Sequence, residues 1–238
     1  MTGYVHSFES LAAVDGDGLR YGVFLAGCPL RCAYCHNPDT WEMGAGQATE
    51  AEALARKISR YRPYFGENGG ATFSGGEPLL QAEWLCEVAE LLQKEGIGYV
   101  IDTSGGVPLT DAVKTLLSGA QSVLLDLKFP DEESYLRYTG RGMAQTLAVL
   151  DYLEEIGKTT RIRIVVIPEI NDSEEALNAY LAHLRGKQCV SEVELLGFHT
   201  MGFHKYESLG IENKLSSTPA LDPALKDRLQ AFVNEQMK

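Results

Sequence analysis

The sequence predicts an α/β fold in which a parallel sheet is covered by outer helices, and three observations predict it. Six short apolar runs recur along the chain, at 21–27, 70–75, 98–104, 122–128, 161–168 and 192–198. Each is rich in Val, Ile, Leu or Phe and too short for a buried helix, as strands covered on both faces are. Helix-period segments fill the intervals between them. Polar residues gather at the C-terminal ends of the runs, where sheets of this kind carry their reactive groups. Six β-α units in alternation imply right-handed crossovers, in either a doubly wound sheet or an open barrel.

Taken in order, the first run, YGVFLAG, leads straight into a loop holding three of the five cysteines. A helix over 49–65, capped by Thr49 or Glu50, connects to GATFSG, which ends in Ser-Gly-Gly-Glu-Pro (74–78). A helix from Leu79 stops at Gly96, and GYVIDTS then ends on Asp102 and Thr103. After a helix over 108–119, SVLLDLK places Asp126 and Lys128 two residues apart, hence on one face of a strand. A helix over 143–157 precedes RIRIVVIP with Arg161 and Arg163. A helix over 173–186, capped by Asp172 or Ser173, precedes EVELLGF and then His199. A last helix opens on Asp222-Pro223. With no internal repeat and no linker, residues 1–238 are expected to form one domain.

Composition narrows the function. A net charge of −12 disfavours nucleic-acid binding, which rests on Lys and Arg displacing counterions. No apolar run reaches the ~18 residues that cross a bilayer, and no basic-then-apolar leader opens the chain, so a cytoplasmic address without membrane contact is expected. In that reducing setting, clustered cysteines read as metal or redox ligands.

The cluster is Cys28-x3-Cys32-x2-Cys35. Three thiols leave a tetrahedral zinc shell one short, and His36 is poorly placed to close it. Cys86 and Cys189 lie far off and read as small buried hydrophobes. A [4Fe-4S] cubane on three cysteines keeps one iron open to an exogenous ligand.

This motif, with an aromatic just before its last cysteine, resembles the radical S-adenosylmethionine superfamily. The wider string HSFES, VDGDGLR and FLAGCPLRCAYCHNPDTW is similar to the pyruvate formate-lyase activating family, from His6 to about Tyr206. The resemblance implies a partial (β/α)6 radical-SAM barrel with a [4Fe-4S] cluster on Cys28, Cys32 and Cys35 and S-adenosyl-L-methionine at the open iron. Gly75, Gly76 and Glu77 would meet the methionine amino group, and Asp126, Leu127 and Lys128 would contact the cofactor, Lys128 being suited to its carboxylate. Tyr34, Cys35 and His36 would hold the adenine, and His199 would add a further contact, while His204 would be structural or face the substrate. Asp102, Thr103 and Asp126 would bind a monovalent cation (Na+ or K+). Arg163 also matches a family position.

The implied reaction is reductive cleavage of S-adenosylmethionine to a 5′-deoxyadenosyl radical, which takes a Cα hydrogen from one glycine of pyruvate formate-lyase. A flavodoxin or ferredoxin would donate the electron, and the chain is expected to be a monomer. Another glycyl radical enzyme, a small molecule or an RNA stays open as the target. Asp17, where the family has Pro, and Gly197-Phe198, where it has Pro-Tyr, are departures that bear on the partner.

Overall fold

The computed structural model describes residues 1–13 and 15–238. One eight-stranded sheet runs in the order β3-β1-β2-β4-β5-β6-β7-β8. In chain order, β1 (Thr2–Ala12) and β2 (Arg20–Leu25) precede β3 (Gln47–Glu50), helices α1 (Ala51–Ser59) and α2 (Arg62–Phe65), and β4 (Gly70–Gly75). Next come α3 (Ala82–Lys94), β5 (Gly98–Thr103), α4 (Asp111–Gly119) and β6 (Ser122–Asp126). Helices α5 (Glu132–Thr139) and α6 (Ala144–Glu155) lead to β7 (Thr160–Val166), α7 (Glu174–Ala182) and β8 (Val190–Gly197). The chain closes with α8 (His204–Leu209) and α9 (Pro223–Gln236).

From β2 to β8 every neighbouring pair is parallel, so the six expected strands form the open parallel sheet. β1 pairs antiparallel with β2 and with β3, and neither was expected from sequence. Their side chains are largely exposed, so no apolar run marks them. The expected 49–65 helix divides because Pro63 sits at the first turn of α2, where a missing N–H does no harm. α5 was also missed, having only Tyr135 and Thr139 buried.

β4, β5 and β6 are buried along most of their length. β7 alternates instead, with Ile162, Ile164 and Val166 buried and Arg161, Arg163 and Val165 on the opposite face. That second face lines the inside of the curved sheet. Thr110, Asp131, Ser173 and Asp222 cap α4, α5, α7 and α9 through their side-chain oxygens. α3 packs between α1 and α4 outside the sheet, while α9 lies on β8 and α7.

At the N-terminal ends of the strands a single guanidinium joins several segments. Arg20 is 1 % exposed. Its Nε donates to Thr72 Oγ1 (2.7 Å), Nη1 to the carbonyls of Asp17 (2.7 Å) and Asn68 (2.9 Å), and Nη2 to the Ala71 carbonyl (2.8 Å) and Gln121 Oε1 (3.0 Å). Thr72 in turn donates to the Asp15 carbonyl (2.7 Å), so residues 15–17 are pinned against the sheet and Asp15 reaches its interior. Burial without a bonded carboxylate pushes Arg20 down to about 10. Arg20→Met would strand these acceptors, and a loss of about 3 kcal/mol is expected, read as a lower denaturant midpoint at unchanged slope.

Candidate active site

The C-terminal ends of the parallel strands surround a cavity of about 340 Å³. Into it face Cys28, Cys32 and Cys35 from the loop after β2, Ser74, Gly75 and Gly76 from the end of β4, and Asp102 to Ser104 from β5. Asp126 comes from the end of β6, Lys128 from just beyond it and Arg163 from β7; Tyr34, His36 and Trp41 add to the wall. A larger cavity of about 520 Å³ lies outside the sheet against Tyr4, Leu80 and Trp84, and it holds no comparable set of groups. The chemistry therefore belongs to the smaller one.

Backbone bonds shape the cysteine loop. Gly27 and Cys28 donate to the carbonyls of Thr40 (2.8 Å) and Trp41 (3.0 Å), while Arg31 and Ala33 donate to Thr139 (2.7 Å) and Tyr138 (2.8 Å). A tight turn returns Cys35 N to the Cys32 carbonyl at 3.0 Å. The β4 end is fastened to the same loop, Gly76 N bonding Leu25 O and Glu77 N bonding Gly27 O, both at 2.8 Å. A Cβ on Gly76 would lie 2.2 Å from Gly27 O, which explains the glycine at this crossing. Cys189 is buried ahead of β8 and Cys86 half-buried on α3, both apart from the three.

Burial pushes the Cys28 and Cys32 thiols up to about 12 and raises Cys35 as well. Three such thiols ionise together only with strong positive charge among them. Among the described residues, no three His, Cys, Asp or Glu side chains group as the shell of a single metal ion. Three thiols on one wall of a cavity, with no fourth protein donor closing over them, fit a cluster that keeps one position open.

Opposite the cysteines lies a chain of charges. Lys128 Nζ donates to Asp126 Oδ2 (2.7 Å) and Arg163 Nε to Asp126 Oδ1 (2.8 Å), while Arg163 Nη2 bonds Asp102 Oδ1. Ser74 Oγ donates to the other Asp102 oxygen at 2.6 Å. Burial pushes Asp126 up, but Arg163 and Lys128 outweigh it and hold the carboxyl down at about 2. Asp102 is raised to about 6 by burial, with one cation against it and the Asp126 charge beside it. Asp102 and Asp126 both bond Arg163, so the charge between them is that guanidinium, a residue the sequence marks only through its match to a family position.

Thr103 lines the cavity, but its hydroxyl is engaged with Glu77. That hydroxyl donates to Glu77 Oε1 (2.5 Å), and Glu77 Oε2 accepts from Ser104 N (3.0 Å) and Ser104 Oγ (2.5 Å), with Leu79 N adding a bond to Oε1 (3.1 Å). Glu77 is completely buried and lies outside the cavity wall, so its carboxylate locks the ends of β4 and β5 together instead of facing a ligand. Leu127 is likewise buried in the core, leaving only its backbone near the site. His199 stands behind the wall. Its ring stacks on His36 at 4.0 Å, its carbonyl accepts from His36 Nε2 (3.0 Å), and its buried Nδ1 has no partner among the described residues. Burial pushes the His36 imidazole down, which favours its neutral form. His204 is exposed, and its ring bonds the nearby Met201 carbonyl (3.0 Å).

Glu77→Ala leaves the Thr103 and Ser104 donors without an acceptor. It is expected to cost about 3 kcal/mol, measured by urea unfolding, and Glu77→Gln less.

The Radical SAM superfamily model matches residues 23–181. Over 238 residues the chain is 40 % identical to the pyruvate formate-lyase-activating enzyme of Clostridium pasteurianum, covering 99 % of both chains. With that of Streptococcus mutans it shares 36 %, covering 97 % of this chain and 89 % of that one. Among solved structures, Streptococcus suis SuiB superposes with a TM-score of 0.68 at 16 % identity, over 88 % of this chain and 44 % of that one. A domain of a pyruvate-formate lyase-activating enzyme from Bacteroides vulgatus gives 0.58 at 20 % identity, over 70 % and 94 %. These two likenesses support the fold, a partial barrel with an open sheet. The matched family model and the full-length identities, on a chain whose three cysteines line one cavity, place it in the radical S-adenosylmethionine superfamily, among the pyruvate formate-lyase-activating enzymes.

Proposed function

We propose that this chain activates pyruvate formate-lyase by installing a radical on one of its glycines. The observation that carries the reading is the meeting, in one cavity, of three thiols, a glycine-edged strand end and the Asp126–Lys128 pair, in a chain aligned end to end with activating enzymes. Family membership implies a [4Fe-4S] cluster and S-adenosylmethionine. When bound, they supply one electron and a 5′-deoxyadenosyl radical that takes the glycine Cα hydrogen.

The chain's own residues do the rest. Cys28, Cys32 and Cys35 would hold three irons. The backbone of Gly75 and Gly76 offers a flat edge for the methionine amino group, with Glu77 fixing that edge from behind. Lys128 suits the cofactor carboxylate, and Asp126 keeps it charged and aimed. Tyr34 and His36 form the wall for the adenine, with His199 setting the plane of His36 through their stacked rings. Phe24, Val165 and Leu196 give the cavity an apolar side that keeps water from a reactive radical. A Na+ or K+ at Asp102, Thr103 and Asp126 would have to share both carboxylates with Arg163.

We further infer one domain acting as a cytoplasmic monomer, with a flavodoxin or ferredoxin as electron donor. Among the described residues, no helix is long and apolar enough to cross a membrane.

Anaerobic purification should give a brown protein with about four irons and four sulfides per chain. Cys28→Ala, Cys32→Ala and Cys35→Ala should each abolish cofactor cleavage. Mixed with pyruvate formate-lyase, reductant and S-adenosylmethionine, the protein should yield a glycyl-radical signal in electron paramagnetic resonance; cofactor cleavage without that signal would point to another target. Lys128→Met removes one charge-assisted contact and should weaken S-adenosylmethionine binding by about 30-fold in equilibrium dialysis.

A further inference from the structure

We propose that Tyr206 is a positioning residue for the cysteine loop, holding the Cys32–Cys35 turn from the far end of the chain. The inference rests on reading that loop as the cluster site. The Tyr206 hydroxyl donates to the Cys35 carbonyl at 3.0 Å and lies 3.5 Å from the Cys32 carbonyl, across 171 positions of sequence. Cys35 N closes the same turn onto the Cys32 carbonyl. One phenol therefore holds both ends of the turn that sets two of the three thiols.

Tyr206 does not act alone. After β8 the chain crosses to the loop that follows β2, and it grips that loop at successive points. His199 stacks on His36. Gly202 passes so close that a Cβ there would lie 2.5 Å from the His36 carbonyl. Lys205 Nζ donates to Asn37 Oδ1 (2.8 Å) and Asp39 Oδ1 (3.0 Å), and His6 braces Asp39 from β1 at 3.4 Å. The Tyr206 ring meets Trp41 and Phe203 edge-on, with centroids at 6.0 and 5.7 Å. Packing alone would be served by phenylalanine. What tyrosine adds is the O–H, and it goes to carbonyls of the residues whose thiols must stay in register.

Loss of that bond has two consequences. The turn opens more readily, and the Cys35 carbonyl dipole is left unbalanced beside the cluster, which disfavours an added electron. The experiment uses anaerobically reconstituted wild-type protein and Tyr206→Phe, with Tyr152→Phe as control because its hydroxyl bonds the distant Lys114 carbonyl. Iron loss to a chelator is followed by cluster absorbance, and the midpoint potential by redox titration. Tyr206→Phe is expected to lose iron about fivefold faster, the factor carried by one net hydrogen bond, and to titrate at a more negative potential. Tyr152→Phe and the wild type should coincide. Either readout staying at the wild-type value in Tyr206→Phe overturns the proposal. Should that variant fail to fold, Tyr206→Met, which also removes the hydroxyl, carries the test, and iron loss and potential unchanged from wild type there overturn it equally. A wild-type protein that takes up no iron would refute the cluster reading itself, a separate outcome.

Discussion

Asp126 carries two cations, and the rim of the sheet is arranged around it. Its register partner on β7 is Arg163, so parallel pairing alone brings that guanidinium alongside, while Lys128 arrives from two residues beyond the end of β6. A buried carboxylate with one partner is costly. With two, and with Asp102 as the second acid on Arg163, the four groups compensate one another inside the cavity. Lys128 is thereby kept charged and held against Asp126, as the proposed contact with a carboxylate requires.

The same logic recurs on the other side of the cavity wall. Glu77 is buried without any cation, and four donors from Leu79, Thr103 and Ser104 take the place of one. Tyr206 and Lys205 then fasten the cysteine loop from behind. The ends of β4 and β5 and the cysteine loop are thus held by polar contacts behind the cavity wall.

The parallel strands were legible because apolar runs buried on both faces stand out in sequence, and the functional groups at their C-terminal ends followed from topology. β1, β3 and α5 were not legible, since each buries only part of its side chains. Within the site, Cys28, Cys32, Cys35, Asp126 and Lys128 were readable from spacing and strand period. The pairing of Arg163 with both acids depends on the register of three strands, which no local pattern encodes. The inward lock of Glu77 depends on the β5 end, and the reach of Tyr206 spans most of the chain. The family resemblance implies that Glu77, with Gly75 and Gly76, meets the methionine amino group, while in the structure its carboxylate faces away from the cavity.

The claim on which the account turns is that three cysteines leave one metal position open toward Gly76 and Lys128. Anomalous diffraction at the iron edge, from crystals grown without oxygen, tests it most directly. Four irons are expected, three of them bonded to Sγ of Cys28, Cys32 and Cys35 and the fourth facing the cavity without a protein ligand. A single zinc ion on the three thiols, or a fourth iron ligated by a side chain of this protein, would contradict it.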